Sequence, residues 1–217
     1  MAQPTPLEEA PAHPCTYAVG DLHGEVTLLR LMLAALPLRA EDTLLFLGDY
    51  VDGGENSAAT LAVLRDLGDQ RPVVFLRGNH EDAWLDRWTG EDFLVGPPEI
   101  GGARKAWRDF GGRPPSEVGK WMERTRIDYE DEFAFYVHAG VLPGKPFDCT
   151  PPLQKLYGAG SFLESDYNWG KPVVFGHWEV PTPLIRPNKI GVNTQAHQSG
   201  VLTAVRLPDR AIIQVRR

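Results

Sequence analysis

Three short apolar runs in the first third of the chain end alike. CTYAVGD (15–21), TLLFLGD (43–49) and PVVFLRGN (72–79) each close on glycine followed by Asp or Asn. Runs of four to six apolar residues suit strands buried on both faces. Between the first two, VTLLRLMLAAL (26–36) sets Leu29, Leu33 and Leu36 on one helical side. Between the next two, SAATLAVLRDL (57–67) opens on Ser57, a residue type that caps helices. The first 80 residues therefore read β-α-β-α-β, parallel strands covered by crossover helices. In such sheets functional groups collect just past the carboxyl ends of strands. A buried strand that stops at Asp49, with Asp52 three residues on, raises a question of charge. Carboxylates out of water are costly unless something pairs with them.

The rest of the chain is built differently. EDAWLDRW and ARKAWRDF read as helical pieces around a Gly/Pro-rich loop, and four of the six tryptophans fall in this span. It is expected to be a helical cap insertion, about 82–130. Strand signals return in FAFYVHAG, PVVFGH, KIGVNT, VLTAVRL and AIIQV, the last two split by the turn signal Pro208-Asp209. Residues 1–14 are expected to be a flexible tail and 15–217 a single domain. The formal charge of -7 disfavours a nucleic-acid duplex, and no apolar run is long enough to span a membrane. Two cysteines outside any CxxC, and an acidic, Pro-rich start unlike a signal peptide, lead to an expectation of a cytoplasmic location.

The polar groups at the strand ends form a set: Asp21 and His23, Asp49 and Asp52, Asn79 and His80, His138, and His177. If the chain stays extended past Gly20, Asp21 and His23 leave on the same side. Carboxylate, amide and imidazole donors suit Mn, Fe, Zn or Co better than calcium. Asp49, with two oxygens, could bridge a pair of ions, which would answer the charge question. Two metals clamp a phosphate and lower the pKa of a bridging water.

GDLHG (20–24), GDYVDGG (48–54), GNHE (78–81), HAG (138–140) and GH (176–177) together resemble the calcineurin-like metallophosphoesterases. More narrowly, they are similar to the bacterial branch of the serine/threonine phosphoprotein phosphatases, which also holds symmetrical dinucleoside tetraphosphatases. The resemblance implies an α/β (α+β) fold, a four-layer αββα sandwich with a helical insertion. It implies a first metal on Asp21, His23, Asp49 and His177, and a second on Asp49, Asn79 and His138. The ions are expected to be Mn, with Fe, Zn and Co as alternatives. His80 would protonate the leaving group and Asp52 would orient it, while a hydroxide held by both metals attacks phosphorus. Arg77 would bind substrate.

Other positions depart from the family pattern. Gly53 and Ala159 stand where arginines that grip phosphate are usual, and Asn193 and Gln195 replace an aspartate and a glycine. Arg104, Lys105, Arg108, Lys155 and Lys171 are candidate substitutes. His197 and Trp178 are extra groups near the motifs, either at the substrate or simply packed. The first functional reading is hydrolysis of phosphomonoesters, serine/threonine or dual-specificity phosphatase-like, on a phosphorylated small molecule or phosphoprotein. The alternative is a dinucleoside-polyphosphate or nucleotide hydrolase, with the tryptophans stacking bases. A metal-bound binding protein without activity is the third reading.

Overall fold

The computed structural model describes residues 13–217, so most of the expected tail lies outside the described residues. Two five-stranded sheets face each other. The first has the order β10-β9-β1-β2-β3. In it β1 (Thr16–Val19), β2 (Thr43–Phe46) and β3 (Val73–Phe75) run parallel. β9 (Val201–Leu207) and β10 (Ala211–Arg216) form the antiparallel hairpin that Pro208-Asp209 announces. The second sheet has the order β4-β5-β6-β8-β7. Its centre, β5 (Phe135–Val137), β6 (Val173–Phe175) and β8 (Lys189–Gly191), is parallel. Its edges, β4 (Asp128–Glu130) and β7 (Leu184–Ile185), are antiparallel.

The period of two along each strand sorts side chains into layers. Tyr17 and Val19 of β1 and Leu44 and Phe46 of β2 pack with Leu28, Leu29, Met32, Leu61 and Leu64 of the helices α1 (Val26–Ala35) and α2 (Ser57–Gln70). Their alternates Ala18 and Leu45 meet Tyr136, Val174 and Ile190 between the sheets. Phe135, Val173 and Phe175 face outward, onto Phe162 and Ala159. The result is the four-layer αββα sandwich.

Asn56, not Ser57, caps α2: its side-chain oxygen accepts from the Ala59 amide at 2.8 Å. Between β3 and β4 lie α3 (Asn79–Leu85), α4 (Ala103–Asp109) and α5 (Ser116–Glu123). α3 begins two residues earlier than the apolar pattern suggests, so Asn79 and His80 start a helix. Of the four tryptophans of this span, Trp84 and Trp107 are buried in the α1/α2 core, and Trp88 and Trp121 pack against it half-buried. Beyond β5 comes α6 (Pro152–Tyr157), and α7 (Ala196–Ser199) precedes β9.

Candidate active site

The carboxyl ends of β1, β2, β3, β5 and β6 meet at one edge of the sandwich: β1, β2 and β3 run parallel in the first sheet, and β5 and β6 run parallel in the second. Among the described residues six non-glycine positions have left-handed φ, and four belong to the expected set: His23 (44°), Asp49 (51°), Asp52 (74°) and His177 (51°). Asp and His tolerate this region better than most residues, yet four in one place mark a site where function outweighs backbone preference. The turn at His23 also corrects the extended reading of residues 21–23. The amides of Leu22 and His23 both donate to the Asp49 carbonyl, which curls the chain over β2.

The glycines before the motifs make room. A Cβ at Gly78 would lie 2.1 Å from Asp49 Oδ1, and one at Gly176 would lie 2.1 Å from Asp21 Oδ1. Any larger residue at either position would displace a carboxylate.

Asp49 sits at the centre. Its Oδ2 is 3.6 Å from His23 Nε2 and 3.4 Å from His138 Nε2. The Nδ1 of each ring faces a carbonyl: His23 donates to Val51 at 3.2 Å and His138 to Leu47 at 2.8 Å. That bond fixes the tautomer and aims the Nε2 lone pair inward, as metal-binding histidines require. Asn79 Oδ1 is 3.0 Å from His138 Nε2 and 2.9 Å from His177 Nδ1. The His177 amide donates to Asp21, at 3.0 Å to Oδ2. Among the described residues two sets of donor atoms are close enough to share an ion: His23, Asp49 and His80, and Asp49, His138 and His177. Asp49 belongs to both, which makes this a binuclear divalent-metal site. The grouping brings His177 to His138 and leaves Asp21 beside the His177 backbone.

Electrostatics show why cations fit. Burial pushes the Asp21 carboxyl up to about 8, with His138 opposing and Asp49 adding to the rise. Asp49 lies below the usual carboxylate range, because His138, His80 and His23 together outweigh its burial. Burial takes His23 down to about 4, and burial with His138 does the same to His177. Two buried carboxylates beside neutral imidazoles and an amide oxygen are a donor set for borderline divalent ions.

His80 stands apart from this pattern. Its amide donates to Asp49 Oδ1 at 3.0 Å, and its Nδ1 donates to Asp52 Oδ2 at 2.7 Å. Burial opposes its charge, but the Asp52 bond and the Asp49 charge hold it up at about 9. Asp52 is fully buried and is gripped by Trp84 Nε1, 3.2 and 3.1 Å from its two oxygens.

Several contributors carried no role in the sequence reading. Glu81 is fully buried and accepts the amides of Asp49 (2.8 Å), Tyr50 (2.8 Å) and Gly78 (3.0 Å). It locks the end of β2 to the start of α3, and the capping-box spacing from Gly78 to Glu81 is the signal for it. Asn193 donates to Asp21 Oδ2 at 2.8 Å and to the His177 carbonyl at 2.9 Å. It ties the first sheet's Asp21 to the second sheet's His177.

The candidate phosphate grips divide. Arg77 is engaged with Thr125 Oγ1, the Glu123 carbonyl and Asp82. Lys105 pairs with Asp109, Lys155 with Asp128 and Lys171 with Glu130. Arg104 and Arg108 are exposed on α4. Ala159 is a core alanine packed with Phe162. Trp178 spends its N–H on the Ala139 carbonyl at 2.8 Å and packs over Gly158, so it is part of the rim's packing.

Known proteins are similar to this chain in sequence and in fold. The profile of the calcineurin-like phosphoesterases matches residues 16–188. A "Bis(5'-nucleosyl)-tetraphosphatase, symmetrical" from Janthinobacterium sp. (strain Marseille) is 26% identical over 270 residues, covering 93% of this chain and 96% of its own. A crystal structure described as a putative diadenosine tetraphosphatase superposes with a TM-score of 0.73 at 22% identity, covering 94% of both chains. The cold-active protein-tyrosine phosphatase of a psychrophilic Shewanella sp. superposes at 0.67 and 16% identity, covering 94% of this chain and 78% of that one. With the profile matched over residues 16–188 and the Asp49-centred donor groups at the edge shared by the sheets, the chain belongs to the calcineurin-like phosphoesterase family and is a metal-dependent phosphoesterase.

Proposed function

We propose that the protein hydrolyses a phosphoanhydride of a dinucleoside polyphosphate, cleaving it symmetrically. The observation that supports this most is the match to a symmetrical tetraphosphatase along nearly the full length of both chains. The alternative from the sequence thus outranks the phosphomonoester, serine/threonine phosphatase reading. The route to it also changes: the tryptophans pack in the core or against it, and base stacking on them is not what supports this reading.

In this reading Asp21, His23, Asp49, Asn79, His138 and His177 hold two divalent ions, with manganese as the proposed metal. When bound, such ions polarise a phosphoryl group and make water a nucleophile at neutral pH. The chain's own residues do the rest. His80, charged through Asp52, gives a proton to the departing phosphate oxygen. Asp52 keeps Nδ1 of that ring occupied, so the proton leaves from Nε2. Trp84 holds Asp52 in place. Glu81 and Asn193 set the loops that carry Asp49 and Asp21. Free Cys15 and Cys149 accord with the proposed cytoplasmic location.

The test is product analysis with manganese-loaded protein. Diadenosine tetraphosphate should give ADP alone, with kcat/KM at least tenfold above that for p-nitrophenyl phosphate or for phosphoserine and phosphotyrosine peptides. ATP plus AMP as products, or a preference for a phosphopeptide, would reject the proposal and leave the family's chemistry untouched.

A further inference from the structure

His197 is used by none of the roles above. It stands outside both ligand groups, yet its ring lies 4.6 Å from that of His23, on which His80 also packs at 4.7 Å. The space it fills exists because residue 53 has no side chain. Gly53 has φ +90°, and a Cβ there would lie 3.3 Å from His197 Cδ2. The chain turns into this position at Gln195, whose φ is 58° and whose amide donates to Asn193 Oδ1 at 3.0 Å. Asn193 in turn holds Asp21, so the segment carrying His197 is tied directly to the metal centre.

The hydrogen bonding of the ring is incomplete. The side-chain N–H of Gln198 faces His197 Nε2 at 3.2 Å, which makes Nε2 the acceptor. In a neutral imidazole the other nitrogen then carries the proton. That nitrogen, Nδ1, is buried and has no hydrogen-bond partner among the described residues. A buried N–H without an acceptor is rare and destabilising, and such groups call for a specific explanation. An oxyanion at the neighbouring metal centre supplies one.

We propose that His197 is a substrate-binding residue whose Nδ1–H donates to a non-bridging oxygen of the phosphoryl group held beside His23. The proposal rests on phosphoester hydrolysis at this site and is independent of which ester or anhydride is preferred. The contact needs only the N–H of a neutral ring. It forms in the ground state as well as later, so its loss should weaken affinity more than turnover.

The probe is inorganic phosphate, used as a competitive inhibitor of the metal-loaded protein. His197→Ala should raise its Ki, and the KM for p-nitrophenyl phosphate, by about tenfold, as expected for one hydrogen bond to a charged acceptor. Bound metal should stay at two ions per chain. His197→Phe, which keeps a ring against His23 but has no donor, should match the alanine variant. In the wild-type protein loaded with Zn, added phosphate should shift the ¹⁵N–H resonance of His197 Nδ1, a reading that needs no variant to fold. A Ki within twofold of wild type, a phenylalanine variant of normal affinity, an unshifted resonance, or loss of a metal ion with the alanine variant would each overturn the proposal. Metal loss would mean that the ring acts only by packing on His23.

Discussion

The two halves of the metal centre look alike and differ in one respect. Each holds a histidine pushed up to about 9 and one pushed down to about 4: His80 and His23 in the first, His138 and His177 in the second. Burial lowers the second member of each pair. What raises the first member differs. For His138 it is Asp49, the carboxylate that the ions themselves would claim. For His80 it is chiefly Asp52, which belongs to neither ligand group and is held by Trp84. With the ions on the six residues of the proposed function, which leave out His80, bound metal would strip His138 of its proton and leave His80 its own. A general acid beside cations needs a carboxylate that the cations do not share.

The variants that test this contrast can be ranked by expected effect. Asp49→Ala removes the group common to both halves. It should abolish metal binding, measured by metal analysis after desalting, and lower kcat/KM by more than about 10⁴-fold. His80→Ala should keep both ions and lower kcat by about 10²–10⁴-fold on diadenosine tetraphosphate. The loss should be much smaller on p-nitrophenyl phosphate, whose leaving group needs no proton. Equal losses on the two substrates would break the assignment of His80 as the acid. His138→Ala should show the opposite behaviour, losing metal and losing activity on both substrates alike.

Smaller effects sharpen the picture. Trp84→Phe removes the indole N–H from Asp52 and should lower kcat about threefold to tenfold, with metal content unchanged. Asp42→Asn, just before the amino end of β2, is the remote control. Asp42 accepts the amides of Cys15 (2.8 Å) and Arg39 (2.9 Å) and pairs with the Arg39 guanidinium. Burial opposes its ionised form, but the Arg39 side chain and these amides hold its carboxyl below the usual value. A depressed carboxyl stabilises the fold above its unfolded pKa, about 3.9, and loses that contribution as pH falls through the folded value. Urea unfolding at pH 7 should show a loss of about 2 kcal/mol in the asparagine variant, shrinking below pH 4, with kcat unchanged.

The legible parts of this protein are those written in short segments. The ends of β1, β2 and β3, the helices α1 and α2, and the β9–β10 hairpin follow from apolar period and turn chemistry within a dozen residues. Other features were hidden. α5 and α6 are short, eight and six residues, and the cap of α2 lies one residue before the serine expected to mark it. The curl at His23 depends on the Asp49 carbonyl, 26 positions on, and local spacing says nothing of it.

By itself the sequence determined which chemical groups stand at which strand ends, because alternation and glycine placement are local properties of a chain. Tertiary structure alone decided which of those groups share an ion, and which cations are already paired. It also decided that Trp84 serves Asp52 and that His197 fills the space over Gly53. The physical reason is separation along the chain. Asp49 and His138 meet only because two sheets, closed by pairings between distant strands, pack face to face. Such contacts are selected by the burial of the whole core and not by any one segment.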